Sequence, residues 1–371
     1  MAAPKRILIV SSEFPPQPGG IGNHTYNLAR ALKASNFEVT VLVDARSTSG
    51  KIEREFDSGL PFEVKRIAVS RVRFIMYIKR LLCFNTLKKG QDYILASGKF
   101  SLWLVGFGNV FGKTPCLVVI HGTEVNFKAP LLKWSVARAL KRFDRVVAVS
   151  NFTKRLVDPL KLKQIMVIPN GYDAQIWTPK SNGRASLFEG SPKLITVGRL
   201  SPRKGQTRVI EHFPRLVQTF PKVHYHCVGI DTEKAACLEL AEYLGVQDHL
   251  HIHGEVSQDA LIKCVAQSDI MVMLSTASPS GDVEGFGIAI LEANALGIPA
   301  IGARGSGVED AIHHGLSGLL IDGTDADALA DAVATIMNHK TEFKKQALLW
   351  AEQHQWRHII KQYIAVLEGM G

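Results

Sequence analysis

Two glutamates eight positions apart, Glu284 and Glu292 in the segment EGFGIAILE, are the most informative pair of chemical groups in this chain. Glu284 stands in a loop and is followed by Gly285, Phe286 and Gly287, after which a helix is expected to begin; Glu292 then lies about 7 Å along it by helix rise. A carboxylate accepts two hydroxyl donors, and a helix N-terminus favours an anion. The segment could therefore hold a sugar hydroxyl at Glu284, a phosphate at the helix start and a ribose diol at Glu292. Neither glutamate needs to act as an acid or a base for that.

Three other loops carry candidate groups. GRLSPRKGQ places Arg199 at a strand end and Lys204 five residues later, before the next helix, where two cations could hold a diphosphate and neutralise its growing charge as it leaves. EFPPQPGGIGN, Glu13 to Asn23, delivers Gly19, Gly20 and Gly22 to a helix start, where backbone amides can approach an anion closely. Its spacing is not that of the dinucleotide fingerprint GxGxxG. HGTE sets His121 and Glu124 at the end of an apolar run, where the imidazole could bond to a sugar hydroxyl. Each has a plain alternative: a solvated basic turn, a structural glycine turn, a structural histidine.

Two patterns that suggest metal do not carry it. His249, His251 and His253 alternate and could face one way along a strand, yet no fourth ligand or supporting carboxylate accompanies them. Asp325 and Asp327 resemble a DxD motif, but after Thr324 they read as the start of an alanine-rich helix, where acids meet the helix dipole favourably.

These loops need elements to hold them at strand ends, because ligands collect at the carboxyl ends of strands in open α/β sheets. Apolar runs recur at Arg6 to Ser11, Val39 to Val43, Val64 to Val69, Tyr93 to Ala96, Cys116 to Ile120, Val146 to Ser150 and Ile165 to Ile168. They restart at Leu194 to Gly198, Val223 to Gly229, Leu250 to His253, Ile270 to Leu274, Pro299 to Gly302 and Leu319 to Ile321. Intervals long enough for helices separate them, as in parallel, doubly wound sheets. The fold class expected is α/β, with two Rossmann-like domains facing across a cleft: residues 1–173, and residues 174–371 with a helical C-terminal segment from Asp325 that can return to the first domain.

The 371 residues and 46% hydrophobic composition suit two soluble domains. Five scattered cysteines without a CxxC pair suit a reduced, cytoplasmic chain, and the apolar run after Lys5 and Arg6 is too short for a signal-peptide core. No stretch reaches the roughly 20 apolar residues a membrane crossing needs. Charge is uneven: residues 1–175 hold 27 Lys and Arg against 12 Asp and Glu, whereas the remainder is net acidic. An anionic partner of the first domain is expected, either a membrane surface or a phosphorylated acceptor, and no nucleic acid. From Val64 to Phe84 the chain sets Phe74, Ile75, Ile78, Leu81 and Leu82 amid Lys65, Arg66, Arg71, Arg73, Lys79 and Arg80. This is either an interfacial helix lying peripherally on a membrane or an ordinary helix packing its stripe on the sheet.

Taken together, the loops resemble those of the large family 4 of retaining glycosyltransferases, which have the GT-B fold, over almost the whole chain. The E-x7-E motif is carried by Glu284 and Glu292, the diphosphate contacts by Arg199 and Lys204 in GRLSPRKG, and the domain junction by PNGYD, Pro169 followed by Asn170 to Asp173. The resemblance implies a metal-independent hexosyltransferase using a UDP-sugar or GDP-sugar as substrate, with no other cofactor, and a glycan or lipid-linked acceptor. It further implies that Gly19 and Gly20 approach the donor phosphate, that His121 and Glu284 contact the transferred sugar, and that Gly285, Phe286 and Gly287 shape the donor site. Glu292 would take the ribose, and Glu255 and Val256 of HGEV would pack on the base. The family's glycine pair before a late glutamate is altered here to Gly305, Ser306, Gly307 and Glu309. A catalytically silent sugar-nucleotide-binding subunit and a GT-B nucleotide-sugar 2-epimerase are the alternatives.

Overall fold

The computed structural model describes residues 3–47, 49–68, 72–110, 112–178, 188–278 and 281–370. The chain forms two compact units, one of residues 1–171 and 356–371, the other of residues 172–355.

In the first unit the order is β1 (Arg6–Ser11), α1 (Gly20–Ala34), β2 (Glu38–Ala45), α2 (Lys51–Ser58), β3 (Glu63–Ala68), α3 (Arg73–Leu87), β4 (Tyr93–Ser97), α4 (Lys99–Gly108), β5 (Cys116–Ile120), α5 (Pro130–Leu140), β6 (Arg145–Ala148), α6 (Asn151–Arg155) and β7 (Ile165–Val167). The strands form one parallel sheet in the order β3-β2-β1-β4-β5-β6-β7. Strands buried on both faces read as unbroken apolar runs rather than alternating ones; accordingly Ile7 to Val10 and Leu117 to Ile120 are wholly buried. One sheet face packs Leu8, Val10, Ile94, Val118 and Ile120 against Phe84, Leu102, Val105, Val136 and Leu140 of α3, α4 and α5.

The second unit continues with β8 (Lys193–Val197), α7 (Gln206–Thr219), β9 (His224–Val228), α8 (Lys234–Tyr243), β10 (Leu250–Ile252), α9 (Gln258–Ala266), β11 (Ile270–Met273), α10 (Ile288–Ala295), β12 (Ala300–Ala303), β13 (Gly318–Ile321), α11 (Ala326–Asn338) and α12 (Lys340–Gln353). Its sheet is also parallel, in the order β10-β9-β8-β11-β12-β13. The last helix, α13 (Trp356–Glu368), belongs to the first unit, where it packs on α1. In both sheets the strand order reverses beside the first strand, between β1 and β4 and between β8 and β11, and the carboxyl ends there are the places where such sheets bind ligands.

All thirteen apolar runs are strands, within a residue or two of the ends read from sequence; Val69 lies outside the described residues. Asp325 caps α11, its carboxylate accepting from the amides of Asp327 at 2.9 Å and Ala328 at 3.1 Å, so the DxD-like pair is a helix start. Among the described residues no cluster of three or more His, Cys, Asp or Glu could hold a metal ion, and no helix is long and apolar enough to cross a membrane. All five cysteines are free.

The alternating histidines do share a face, but they stack with two more on β9. His224 Nδ1 lies 2.7 Å from His251 Nε2, and His226 Nδ1 lies 3.1 Å from His253 Nε2. His249 hydrogen-bonds the Val223 carbonyl at 2.7 Å, and Phe188 covers His226 ring on ring at 3.8 Å. Rings this close stay neutral: burial, then the neighbouring His251 and His253, pushes His226 down to about 3, and burial also lowers His224 and His253.

That histidine ladder makes stability acid-sensitive. A ring that titrates at its ordinary 6.5 in the unfolded chain and at about 3 when folded takes up its proton only on unfolding in that interval. Its stabilisation is complete above 6.5 and is lost as pH falls towards 3, with a slope of at most about 1.4 kcal/mol per pH unit for one ring. Denaturant titrations between about pH 7.5 and about pH 5.5 should show stability falling with pH, and His226→Gln should flatten the fall. An unchanged slope in that variant would mean the ladder does not set it.

Candidate active site

The carboxyl end of β8 is built from close backbone contacts that only glycine permits. Gly198, at φ +132°, follows the strand, and Gly229 after β9 comes so near it that a Cβ on Gly229 would sit 2.4 Å from the Gly198 carbonyl oxygen. The Gly229 amide donates to the Gly254 carbonyl at 2.9 Å, extending this floor to the end of β10. Beyond it the chain makes a short 3-10 turn, Pro202–Lys204, and enters α7 through Gly205 at φ +79°, where a Cβ would strike the Leu274 carbonyl. Turn and floor together present Arg203 and Lys204.

Both cations reach one carboxylate. Lys204 Nζ lies 3.0 Å from Glu284 Oε2, Arg203 pairs with the same oxygen, and Arg203 Nε also reaches Asp282 at 3.1 Å. Burial alone would raise the Glu284 carboxyl, but Lys204 and then Arg203 hold it below the usual carboxylate range. Glu284 is therefore a charged, buried group (9% exposed) at the entry to α10, whose first turn follows Gly287 at φ +92°. Glu292, about one turn along that helix, differs: burial pushes it up to about 7, against the opposing charge of Lys204 and a hydrogen bond from Trp177. The two glutamates of the motif are thus shifted in opposite directions around one lysine. Arg199 stays exposed; its carbonyl accepts from the Gln206 amide at 3.2 Å.

The altered loop after β12 leans directly on this pair. Gly307 N–H donates to the Glu284 carbonyl at 2.9 Å, and a Cβ on Gly307 would lie 2.1 Å from the Gly285 carbonyl carbon. Gly307 is therefore the glycine the site requires, and the Glu309 carboxylate closes the turn by accepting from Gly305 N–H at 2.7 Å. Glu255 is exposed and Val256 half-buried in the loop after β10. Tyr172 of PNGYD accounts for the tyrosine there: its amide donates to the His354 carbonyl at 3.1 Å and its phenol receives the Gln355 amide at 3.3 Å.

In the first unit, Gly19 and Gly20 lie exposed at the start of α1, and a Cβ on Gly20 would meet nothing within 4 Å. The loop before them is tied down by Glu53, which is wholly buried. Glu53 accepts from Gln17 at 2.8 Å and from the amides of Arg46 at 2.7 Å and Ser47 at 3.1 Å. Burial opposes its charge, but these bonds and the Ser47 hydroxyl bring it down to about 2. His121, after β5, is buried and neutral, its pKa lowered by burial to about 3. Its Nε2 lies 2.9 Å from Ser97 Oγ and its amide donates to Glu124, a carboxyl that burial pushes up to about 7.

Sequence reasoning singled out Lys204 with Arg199 and Glu284 with Glu292, but not the Lys204–Glu284 contact, and missed Arg203, Trp177 and Glu53. Arg203 is visible as the third cation of RLSPRKG. Trp177 and Glu53 act across long chain separations and leave no local signal.

Two family models match the chain: "Glycosyltransferase Family 4" over residues 18–176 and "Glycosyl transferases group 1" over residues 179–353. A GDP-mannose-dependent alpha-(1-6)-phosphatidylinositol monomannoside mannosyltransferase of Mycobacterium tuberculosis is 26% identical over 90% of this chain and 89% of its own length. Glycogen synthase of the same organism is 25% identical over 92% and 88%. Among solved structures, Anabaena HepE with UDP and glucose aligns with a TM-score of 0.79 at 19% identity over 98% of this chain and 100% of its own. A Rickettsia africae glycosyltransferase aligns at 0.80, with 19% identity over 99% and 98%. The fold is GT-B.

Two glycine variants separate fold from site. Gly307→Ala drives a Cβ into the Gly285 backbone, so it should lower the melting temperature, by the equivalent of about 1–3 kcal/mol, together with turnover. Gly20→Ala meets open space and should leave the melting temperature unchanged while weakening anion-dependent turnover. Full turnover in Gly20→Ala would remove Gly20 from the site.

Proposed function

We propose that this chain, which belongs to glycosyltransferase family 4, is a retaining, metal-independent mannosyltransferase that draws on a GDP-mannose donor and serves a lipid-linked acceptor at an anionic membrane surface. The coarser activity follows from membership: the enzyme moves a hexosyl group from a nucleotide sugar to a hydroxyl of a glycan or lipid acceptor. The choice of mannose and of a lipid rests on relatives named as GDP-mannose-dependent enzymes acting on phosphatidylinositol mannosides.

One observation carries the catalytic reading: Arg203, Lys204 and charged Glu284 meet at the mouth of α10. The donor diphosphate binds Lys204 and Arg199 and the first amides of α10, and these groups stabilise its charge as the bond from sugar C1 to the phosphate oxygen breaks. Glu284 keeps Arg203 and Lys204 in place and accepts a sugar hydroxyl through its free lone pairs. Glu292, Trp177-bonded and raised to about 7 by burial, takes the ribose, and Glu255 and Val256 flank the base. In the first unit, Gly19 and Gly20 approach an anionic group and His121 bonds to the sugar. Retention follows if the acceptor oxygen attacks C1 on the face the phosphate leaves, its proton passing to the departing phosphate oxygen. No protein nucleophile is then needed.

The membrane reading changes in kind. Arg80 is buried and paired with Asp44, and Arg66 bonds to Asp57 at 2.7 Å, so neither is surface charge; Arg71 and the Arg73 side chain lie outside the described residues. The apolar side of α3 is turned to solvent instead of to the sheet: Phe74, Ile75, Tyr77, Ile78, Leu81 and Leu82 are all exposed. Helix α4, in contact with α3, adds exposed Phe107, and α5 beyond it adds Leu131 and Trp134. Arg142 lies over Phe107 at 5.0 Å and Arg138 over Trp134 at 5.8 Å, with Lys133 and Lys141 exposed beside them. Cations interleaved with aromatic and aliphatic groups suit an anionic bilayer interface, each Lys or Arg contributing about 1 kcal/mol there.

Arg203→Ala and Lys204→Ala should each cut kcat by about 100-fold or more and also lower the melting temperature, since each leaves buried Glu284 with one cation instead of two, and turnover should survive excess chelator. Chelator-sensitive activity restored by Mn²⁺ would contradict the metal-free reading. The chain should sediment with anionic but not zwitterionic vesicles and be released by high salt. Phe74→Ser with Trp134→Ser should abolish binding, and Arg138, Lys141 and Arg142→Glu should weaken it. Equal retention by both vesicle types would exclude charge-directed docking.

A further inference from the structure

A chain of buried hydroxyls runs from the end of β1 through α1 to His121, and its protons can be counted. Ser11, Thr25 and Ser97 are all fully buried, so each hydroxyl proton needs a protein acceptor. Ser11 Oγ donates to the Glu13 carbonyl at 2.7 Å. Thr25 Oγ1 has three acceptors within its reach as donor, the Ile21 carbonyl at 2.9 Å, Ser11 Oγ at 3.0 Å and Ser97 Oγ at 3.2 Å. The geometry between Thr25 and Ser97 makes Thr25 the donor and Ser97 the acceptor. Whichever acceptor Thr25 chooses, the Ser97 proton has one place to go: His121 Nε2, at 2.9 Å.

We infer that Ser97 is a positioning residue that holds His121 in the Nδ1–H tautomer, so that the imidazole presents a hydrogen-bond donor, not an acceptor, to the sugar. A neutral imidazole carries one proton on its two nitrogens, so a donor at Ser97 Oγ makes Nε2 the acceptor and leaves the proton on Nδ1. The ring is neutral because it is buried. Among the described residues Nδ1 takes no hydrogen bond, and it is not one of the sealed polar atoms. The ring plane is braced as well: His24 on α1 meets it edge-on at 5.0 Å and is itself held by the Tyr363 hydroxyl of α13 at 3.1 Å. Ser97 ends β4 and His121 follows β5, so the tautomer depends on the pairing of those two strands, in which Ser97 stands opposite Val119. In function, the Nδ1–H would donate to a hydroxyl oxygen of the transferred hexose; this last step rests on the reading of His121 as a sugar contact.

Long-range ¹H–¹⁵N correlation spectra of the full chain labelled at histidine nitrogen read the tautomer directly, with the His121 signals identified by their loss in His121→Gln. The wild type should show Nδ1–H at His121. Ser97→Ala should shift it towards Nε2–H and lower kcat by about tenfold with the donor KM within about twofold, and Ser97→Thr should restore both. Thr25→Val, which keeps shape and leaves Ser97 its single acceptor, should leave the tautomer unchanged and so controls for loss of packing. An Nε2–H ring in the wild type, or a tautomer indifferent to Ser97→Ala in a folded protein, overturns the inference. If the spectra come out as expected while His121→Ala retains full turnover, the tautomer assignment stands and the assignment of His121 to the sugar falls.

Discussion

A buried carboxylate stays ionised at the mouth of α10 only because two cations share one of its oxygens, and the second unit is arranged around that necessity. Glu284 would titrate upward if left alone at its depth, and unpaired charge in such a place is expensive. Arg203 and Lys204 remove the cost, but they reach Glu284 only from a 3-10 turn that must leave β8 through Gly198 and enter α7 through Gly205. Gly307 then presses on the Glu284–Gly285 backbone from the other side. Glycines, turn and ion triad are one device, and its ligand-facing product is a pair of cations at a helix N-terminus.

The first unit handles polarity differently. Its candidate groups are set by depth: burial keeps His121 and His24 neutral and leaves Glu124 near the middle of its titration at neutral pH. Glu53, with four donors, remains charged beneath the glycine-rich loop. The contrast is chemically sensible for a glycosyltransferase. Diphosphate needs fixed positive charge as it departs, whereas sugar hydroxyls need neutral donors and acceptors with defined direction.

Surface chemistry follows from the same sheet. Because α3 contributes Phe84 and the Arg80–Asp44 pair to the interior, its remaining apolar groups have no sheet surface to cover and face outward beside those of α4 and α5. The strong positive charge of residues 1–175 is therefore partly internal, and two of its exposed arginines, Arg138 and Arg142, lie over aromatic rings of α5 and α4.

Much of this was legible in the chain. Period and run length determined the thirteen strands, since a parallel strand buried on both faces must be continuously apolar, and the order of loops followed from the strands. The places of Lys204 before α7, of Glu284 before α10 and of Glu292 within it, and the Asp325 helix start, were readable because each is set within one turn or loop. What the sequence could not hold was anything decided between distant segments: that Arg203 shares the charge of Glu284, that Arg80 is spent on Asp44, that Glu53 anchors a loop more than thirty residues earlier, or that Thr25, Ser97 and His121 form one proton chain. A residue's type and period say which face it takes. Its partner, and with it its charge and tautomer, is chosen only when the sheet brings separate strand ends side by side.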